Sequence, residues 1–139
     1  MSEHPTIDHE TLNALRAELG VHFSRILSYF ADDGAKSVEA IEDAVRARDA
    51  VALVRPAHTL KGEALQFGAE ALGVAAEYVE EAARDGVESR SFPLDMVEYT
   101  ARLRPLFAEA LAALQREAAP VAAPMPVRRV GAGFGRKVG

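Results

Sequence analysis

There is no cysteine in this chain of 139 residues. That absence excludes disulfides, thiolate catalysis and cysteine-based metal sites, and it fits a reducing cytosol. No run approaches the roughly 18 to 20 consecutive apolar residues needed to span a bilayer. The N-terminus also lacks a basic stretch leading into an apolar segment, so neither membrane insertion nor classical secretion is expected, and a cytoplasmic protein is. A His-Glu-x-x-His motif is missing, and His4, His9 and His22 lack the local spacing of a zinc site, which argues against a metal enzyme. The run Gly131-Ala132-Gly133-Phe134-Gly135 has no preceding strand and no terminal Gly-Lys-Ser/Thr, so nucleotide binding is rejected.

Acids are also missing from the last 22 residues. The formal net charge of the chain is −5, yet residues 118–139 carry Arg128, Arg129, Arg136 and Lys137 with no acid, leaving −9 for residues 1–117. An acidic body offers no broad basic surface to meet phosphates, so nucleic acid is not expected as a partner. The composition divides the chain into a helical domain at 1–117 and a Pro/Gly-rich basic tail at 118–139. Such a tail buries too little apolar surface to fold by itself. A flexible tail is one reading; the other has Arg128, Arg129 and Phe134 fold back onto the acidic domain or engage a partner.

What the chain does have is helical periodicity, clearest around Ala57-His58-Thr59-Leu60-Lys61-Gly62. Leu53, Ala57, Leu60, Ala64 and Phe67 recur at 4-3-4-3 spacing, the mark of a helix with one buried stripe. At about 100° per residue these side chains span a fan of roughly 80°, and His58 lies about 130 to 140° from its centre, so it points outward. Val51, Val54, Lys61, Gly62 and Leu65 share the outward arc. Lys61 stands at i+3 from His58, and Gly62 at i+4 carries no side chain. A glycine in a helix interior costs roughly 1 kcal/mol relative to alanine, and clearance for something large approaching His58 is a reason for it. An exposed neutral imidazole is a good nucleophile near pH 7, and a lysine beside it can offset the charge of phosphoryl oxygens. Val51, Val54 and Leu65 around it suit a docking surface.

The run His58-Thr59-Leu60-Lys61-Gly62, continued by Leu65, Phe67-Gly68-Ala69 and Leu72, resembles the signature of histidine-containing phosphotransfer (HPt) domains of two-component phosphorelays. The resemblance extends over roughly residues 10–115 through Ile41, Ala44, Val45, Asp49, Val79 and Glu80. It implies that His58 carries the phosphoryl group, that Lys61 is the lysine near it and that Gly62 keeps it accessible. It also implies a phosphocarrier without turnover of its own. The partners implied are response-regulator receiver domains and a sensor or hybrid histidine kinase, with Mg²⁺ held by the receiver and none by this chain. A noncatalytic helical adaptor that binds a kinase or receiver is the alternative.

Two positions depart from the family pattern. Glu63 stands where many members have serine or alanine; by helical geometry it lies well over 100° from His58 and is not expected to touch the phosphoryl group. Glu80 matches a position where some relatives place a glutamine that hydrogen-bonds the active imidazole. A carboxylate there favours the protonated imidazole and repels a phosphoryl group, so either Glu80 is turned aside or the site is tuned differently.

The pattern predicts an all-α fold: an antiparallel up-and-down four-helix bundle with additional N-terminal or end-packing helical segments, and a monomer. Residues 1–7 read as loose, and a first helix capped by Asp8 or Thr6 runs to Leu19 with a break at Gly20. Further helices are expected at 21–31, from about Ser37 to Arg48, from the Asp49 cap through His58, and at 69–84. Asp32-Asp33-Gly34 and Asp85-Gly86 read as breaks. The last helix starts near Pro93, buries Leu94 and Val97 among others, and reaches about Arg116 with a bend or short break at Pro105. Pro56 means either a bend in the His58 helix or a regular part that starts later than Asp49 implies.

Overall fold

A computed structural model describes residues 4–118, and the basic tail lies outside them. Among the described residues there are helices and no strands: α1 (His9–Leu19), a 3₁₀ turn (Gly20–His22), α2 (Phe23–Arg46), α3 (Ala50–Gln66), α4 (Glu70–Ser89), α5 (Met96–Ala101) and α6 (Leu103–Ala118). The four long helices α2, α3, α4 and α6 form the bundle, with α1 and α5 as the additional segments. No helix of the described residues is long and apolar enough to cross a membrane.

The longest helix corrects the expected break at Asp32-Asp33-Gly34, because α2 runs unbroken from Phe23 to Arg46. Its buried stripe is Phe23, Leu27, Phe30, Gly34, Ser37, Ile41 and Ala44, so Gly34 and Ser37 are small members of the helical repeat rather than a turn and a cap. Gly34 is needed for close approach: a Cβ there would run into the ring of Phe107 on α6. Phe107 in turn meets Phe30 edge-on, and Phe30 stacks on Phe67. Gly34→Ala is therefore expected to lower stability. Overpacking costs about 1 to 3 kcal/mol and the helix-propensity gain of about 1 kcal/mol offsets only part of it. A lower denaturant midpoint with an unchanged m-value is the expected readout.

Both ends of α3 follow from sequence. Asp49 Oδ1 accepts from the Ala52 amide at 3.1 Å, which satisfies one orphan donor of the first turn. The expected cap is thus in place, and Pro56 does not delay the helix, which is continuous from Ala50 to Gln66. The carbonyl that Pro56 leaves without a partner is that of Ala52, which is on the exposed side. Gly68, at φ +80, makes the turn into α4, and its carbonyl accepts from the Asp8 amide at 2.6 Å.

That bond belongs to a strap that corrects the expectation of a loose N-terminus, as far as residues 4–7 are concerned. Ile7 is buried, the Ala71 amide donates to the Pro5 carbonyl at 3.0 Å, and His4 Nδ1 lies 2.8 Å from Glu70 Oε2. One orphan amide of the uncapped first turn of α4, that of Ala71, is thus satisfied by the strap instead of by a side chain. Helix α1 is capped by Asp8 and ends at Gly20, both as expected.

At the other end of the bundle α4 outruns its expected stop. Gly86 does not end it; the helix continues to Ser89, and Gly86 is buried where a Cβ would meet Ser91, Pro93 and Ala50. Arg90, at φ 56, makes the left-handed cap usually given to glycine. The last helical region is split at Arg102, and Pro105 sits in the first turn of α6, where its missing amide costs nothing. The expected break is therefore present, three residues earlier than the proline. Leu94 and Val97 do not join the core: they are 85% and 51% exposed.

Candidate functional site

Helix α3 packs its stripe of Leu53, Ala57, Leu60 and Ala64 inward at essentially zero exposure. His58 consequently stands on the outer side, with 61% of its side chain exposed. Helix α4 lies alongside, and Gly73 lets it come close, because a Cβ there would collide with the Leu65 side chain. This approach brings Glu80 of α4 under His58. The Glu80 side chain is only 5% exposed.

Glu80 is the hub of the site. Its Oε2 lies 2.9 Å from His58 Nδ1 and accepts from Arg84 Nη2 at 2.7 Å and Arg84 Nε at 3.2 Å. Its Oε1 faces Lys61 Nζ at 2.8 Å. Burial alone would push the Glu80 carboxyl up, but the hydrogen bonds from Lys61, Arg84 and His58 outweigh it and hold the carboxyl at about 2. Glu80 is therefore a carboxylate at neutral pH and only accepts hydrogen bonds. It follows that Nδ1 of His58 carries the proton and donates it to Glu80, which leaves Nε2 as the outward nitrogen with the free lone pair of the neutral ring.

Of the two alternatives at Glu80, the side chain is not turned aside. Lys61 and Arg84 set two cations on the one Glu80 carboxylate, so these three side chains together carry a net positive charge. Arg84 went unread in the sequence, although an acid and an arginine at i, i+4 on one helix were a visible signal. Lys61 sits where expected at one turn from His58, but its ammonium is on Glu80 and its side chain is only 23% exposed.

The depressed Glu80 carboxyl has a consequence for folding. Its value is about 2 in the folded state against an ordinary 4.5, so its contribution to stability is fully present above about pH 4.5 and is lost as pH falls toward 2. The denaturant midpoint is expected to fall across that window, and Glu80→Gln is expected to flatten that fall. Urea titrations at a series of pH values check both.

Gly62 is open: nothing lies within 4 Å of where its Cβ would be. Glu63 turns away from His58 toward α2, as its helical angle requires. Burial there, then the charge of Asp33 and a hydrogen bond with it, raise the Glu63 carboxyl. Of the expected docking residues, Val51 is 68% exposed, Val54 is half-buried, and Leu65 is partly spent covering Gly73. Val51 and Val54 line a groove of about 630 Å³ with Arg84 and Val87 of α4, and Val87 is an apolar member that the sequence reading missed. No group of three or more His, Asp or Glu side chains among the described residues is arranged to hold a metal ion.

Fold and site together define an all-α bundle that presents one oriented histidine above a buried counter-ion cluster. The chain belongs to the Hpt domain family, which matches residues 25–117. Among solved structures it is similar to the crystal structure of histidine-containing phosphotransfer protein B (HptB) from Pseudomonas aeruginosa PAO1, with a TM-score of 0.73, 25% sequence identity, and coverage of 81% of this chain and 94% of that one. No curated protein matches the chain. Membership gives the general role of histidine phosphotransfer in a phosphorelay, as a carrier without turnover of its own, among receiver and kinase domains.

Proposed function

We propose that His58 accepts a phosphoryl group on Nε2 from the aspartyl phosphate of a response-regulator receiver domain and passes it to the aspartate of another. The observation that carries this reading is the hydrogen bond between His58 Nδ1 and the Glu80 carboxylate, which leaves Nε2 as the free, outward nucleophile. The Nε2 lone pair attacks phosphorus, an N–P bond forms, and the P–O bond to the receiver aspartate breaks so that the carboxylate leaves on the receiver. The ring keeps its Nδ1 proton and becomes cationic, and Glu80 stabilises that charge. In the reverse step a receiver carboxylate attacks phosphorus and Nε2 takes back the bonding pair. A protonated ring is the better leaving group, so the same carboxylate serves both directions.

Catalysis on this chain's side is positioning and charge compensation. Lys61 and Arg84, both held at Glu80, offset the phosphoryl charge. Val51, Val54 and Val87, with the exposed edge of Leu65, supply apolar docking area, and Mg²⁺ belongs to the receiver. A buried core and an open docking face support a monomer, and Glu63, turned toward α2, has no part in holding the phosphoryl group.

Gly62 is the site where stability and function are expected to part. Gly62→Ala meets no neighbour, so it should raise stability by about 1 kcal/mol through helix propensity. The same methyl group sits one turn from His58 on the docking face and should slow transfer by about threefold or more. A rise in thermal midpoint together with slower transfer supports the access role; a rise with unchanged transfer removes Gly62 from the site.

The reading as a whole is tested by incubating the protein with a panel of phosphorylated receiver domains. An acid-labile, base-stable label on this protein is the expected outcome. Binding to receivers or kinases without any label would favour the adaptor instead.

A further inference from the structure

We infer that the acidic outer face of α4, with the groove beside His58, is a docking site for residues 127–130 of this chain's own basic tail. The inference concerns regulation of the proposed His58 site and rests on that reading only for its effect on transfer, not for the contact itself.

Glu77, Glu81, Asp85 and Glu88 recur at 4-4-3 spacing along α4 and are all exposed. Among the described residues none of the four has an ion-pair partner; Lys61 and Arg84 are committed to Glu80, and Arg55 of α3 lines the groove beside Asp85 and Glu88. The groove that this stripe borders is lined by Val51, Val54 and Val87 and by Arg55 and Arg84 beside Asp85 and Glu88, so the unbalanced negative charge lies on the α4 stripe and the groove adds the apolar contacts. Its chemistry calls for a short segment with apolar residues flanking cations. Val127-Arg128-Arg129-Val130 is such a segment, in a stretch with a charge of +4 and no acid, belonging to a chain whose remainder is −9.

Length and exit point agree. Glu117 of α6 pairs with Arg16 of α1, and the end of α6 shares a groove with Pro5–Ile7, the strap that also holds the first turn of α4. Ala118 therefore leaves the bundle at the end where α4 begins. Glu81 and Glu88 lie about 16 and 27 Å up that helix from Glu70 at 1.5 Å per residue. At the rise of about 3.1 Å per residue of an extended Pro-rich linker, the chain length from Ala118 would allow Arg128 and Arg129 a reach of roughly 31 to 34 Å. That spans the distance and leaves several ångströms for the sideways step. A tethered segment has an effective concentration in the millimolar range, enough to hold a weak charged contact that a receiver must displace.

The test uses four full-length proteins: unaltered, Arg128→Glu with Arg129→Glu, Glu81→Arg with Asp85→Arg, and all four changes together. Backbone amide NMR at about 0.05 M salt is expected to show shifts across residues 77–88 on reversing the tail charges. Recovery toward the unaltered spectrum is expected when both sides are reversed, and all differences should shrink at about 0.5 M salt. Transfer from a receiver should be about threefold faster with the reversed tail. Unmoved α4 amides in the tail variant would overturn the inference. Shifts that depend on protein concentration would overturn the own-chain occupant in favour of a second copy. Should no variant accept a phosphoryl group, the proposed function fails while the amide spectra still decide whether the tail docks.

Discussion

His58→Gln is expected to abolish phosphoryl acceptance completely while leaving the fold intact. The imidazole is mostly in solvent and touches the rest of the protein through one hydrogen bond to Glu80, so little packing is lost. Glutamine keeps the length and a donor for Glu80 and has no nucleophilic nitrogen. Thermal unfolding of the variant should stay within about 1 kcal/mol of the unaltered protein, the ordinary range for one surface hydrogen bond. A variant that still takes up label at the normal rate would show that the acceptor is elsewhere.

Glu80→Ala should have the second largest effect. It removes the acceptor that fixes the imidazole and the acid that gathers Lys61 and Arg84, leaving two cations without their shared partner. The ring is then free to rotate and to place its proton on either nitrogen, and transfer is expected to fall at least about tenfold, the scale of lost positioning and electrostatics. Glu80→Gln separates the two roles. Its amide oxygen still accepts from Nδ1–H, but a neutral group holds the cations and the phosphorylated ring less well. Transfer in this variant should be intermediate between Glu80→Ala and the unaltered protein. Transfer at the unaltered rate in Glu80→Gln would show that the carboxylate charge takes no part in the chemistry.

The outward placement of His58 was legible because five residues at 4-3-4-3 spacing fix the buried side of α3, and geometry then dictates what is opposite. The caps at Asp8 and Asp49 were legible for a similar reason, since an acid with non-helical backbone at a helix start has one strong local use. Gly34 was misread because a glycine after two aspartates looks like a turn, whereas its use is to admit the Phe107 ring from a helix more than seventy residues away. Gly86 misled in a similar way: its small size is needed where the chain folds back after α4, at the Ser91 carbonyl and Pro93, and against Ala50 of α3. At the site, the sequence placed Glu80 near His58 and left its direction open. The close packing of α3 on α4 that settles it depends on Gly73 meeting Leu65, a contact with no one-dimensional signature. Arg84 followed from Glu80 once Glu80 was known to be the hub.

The most direct measurement is NMR of the protein labelled with ¹⁵N at histidine, before and after exposure to a phosphorylated receiver. Before exposure, His58 should show its proton on Nδ1 with Nε2 bare; afterwards, phosphorus coupling should appear at Nε2 of His58 with the Nδ1 proton retained. Phosphorus on Nδ1, or on a residue other than His58, would contradict the account.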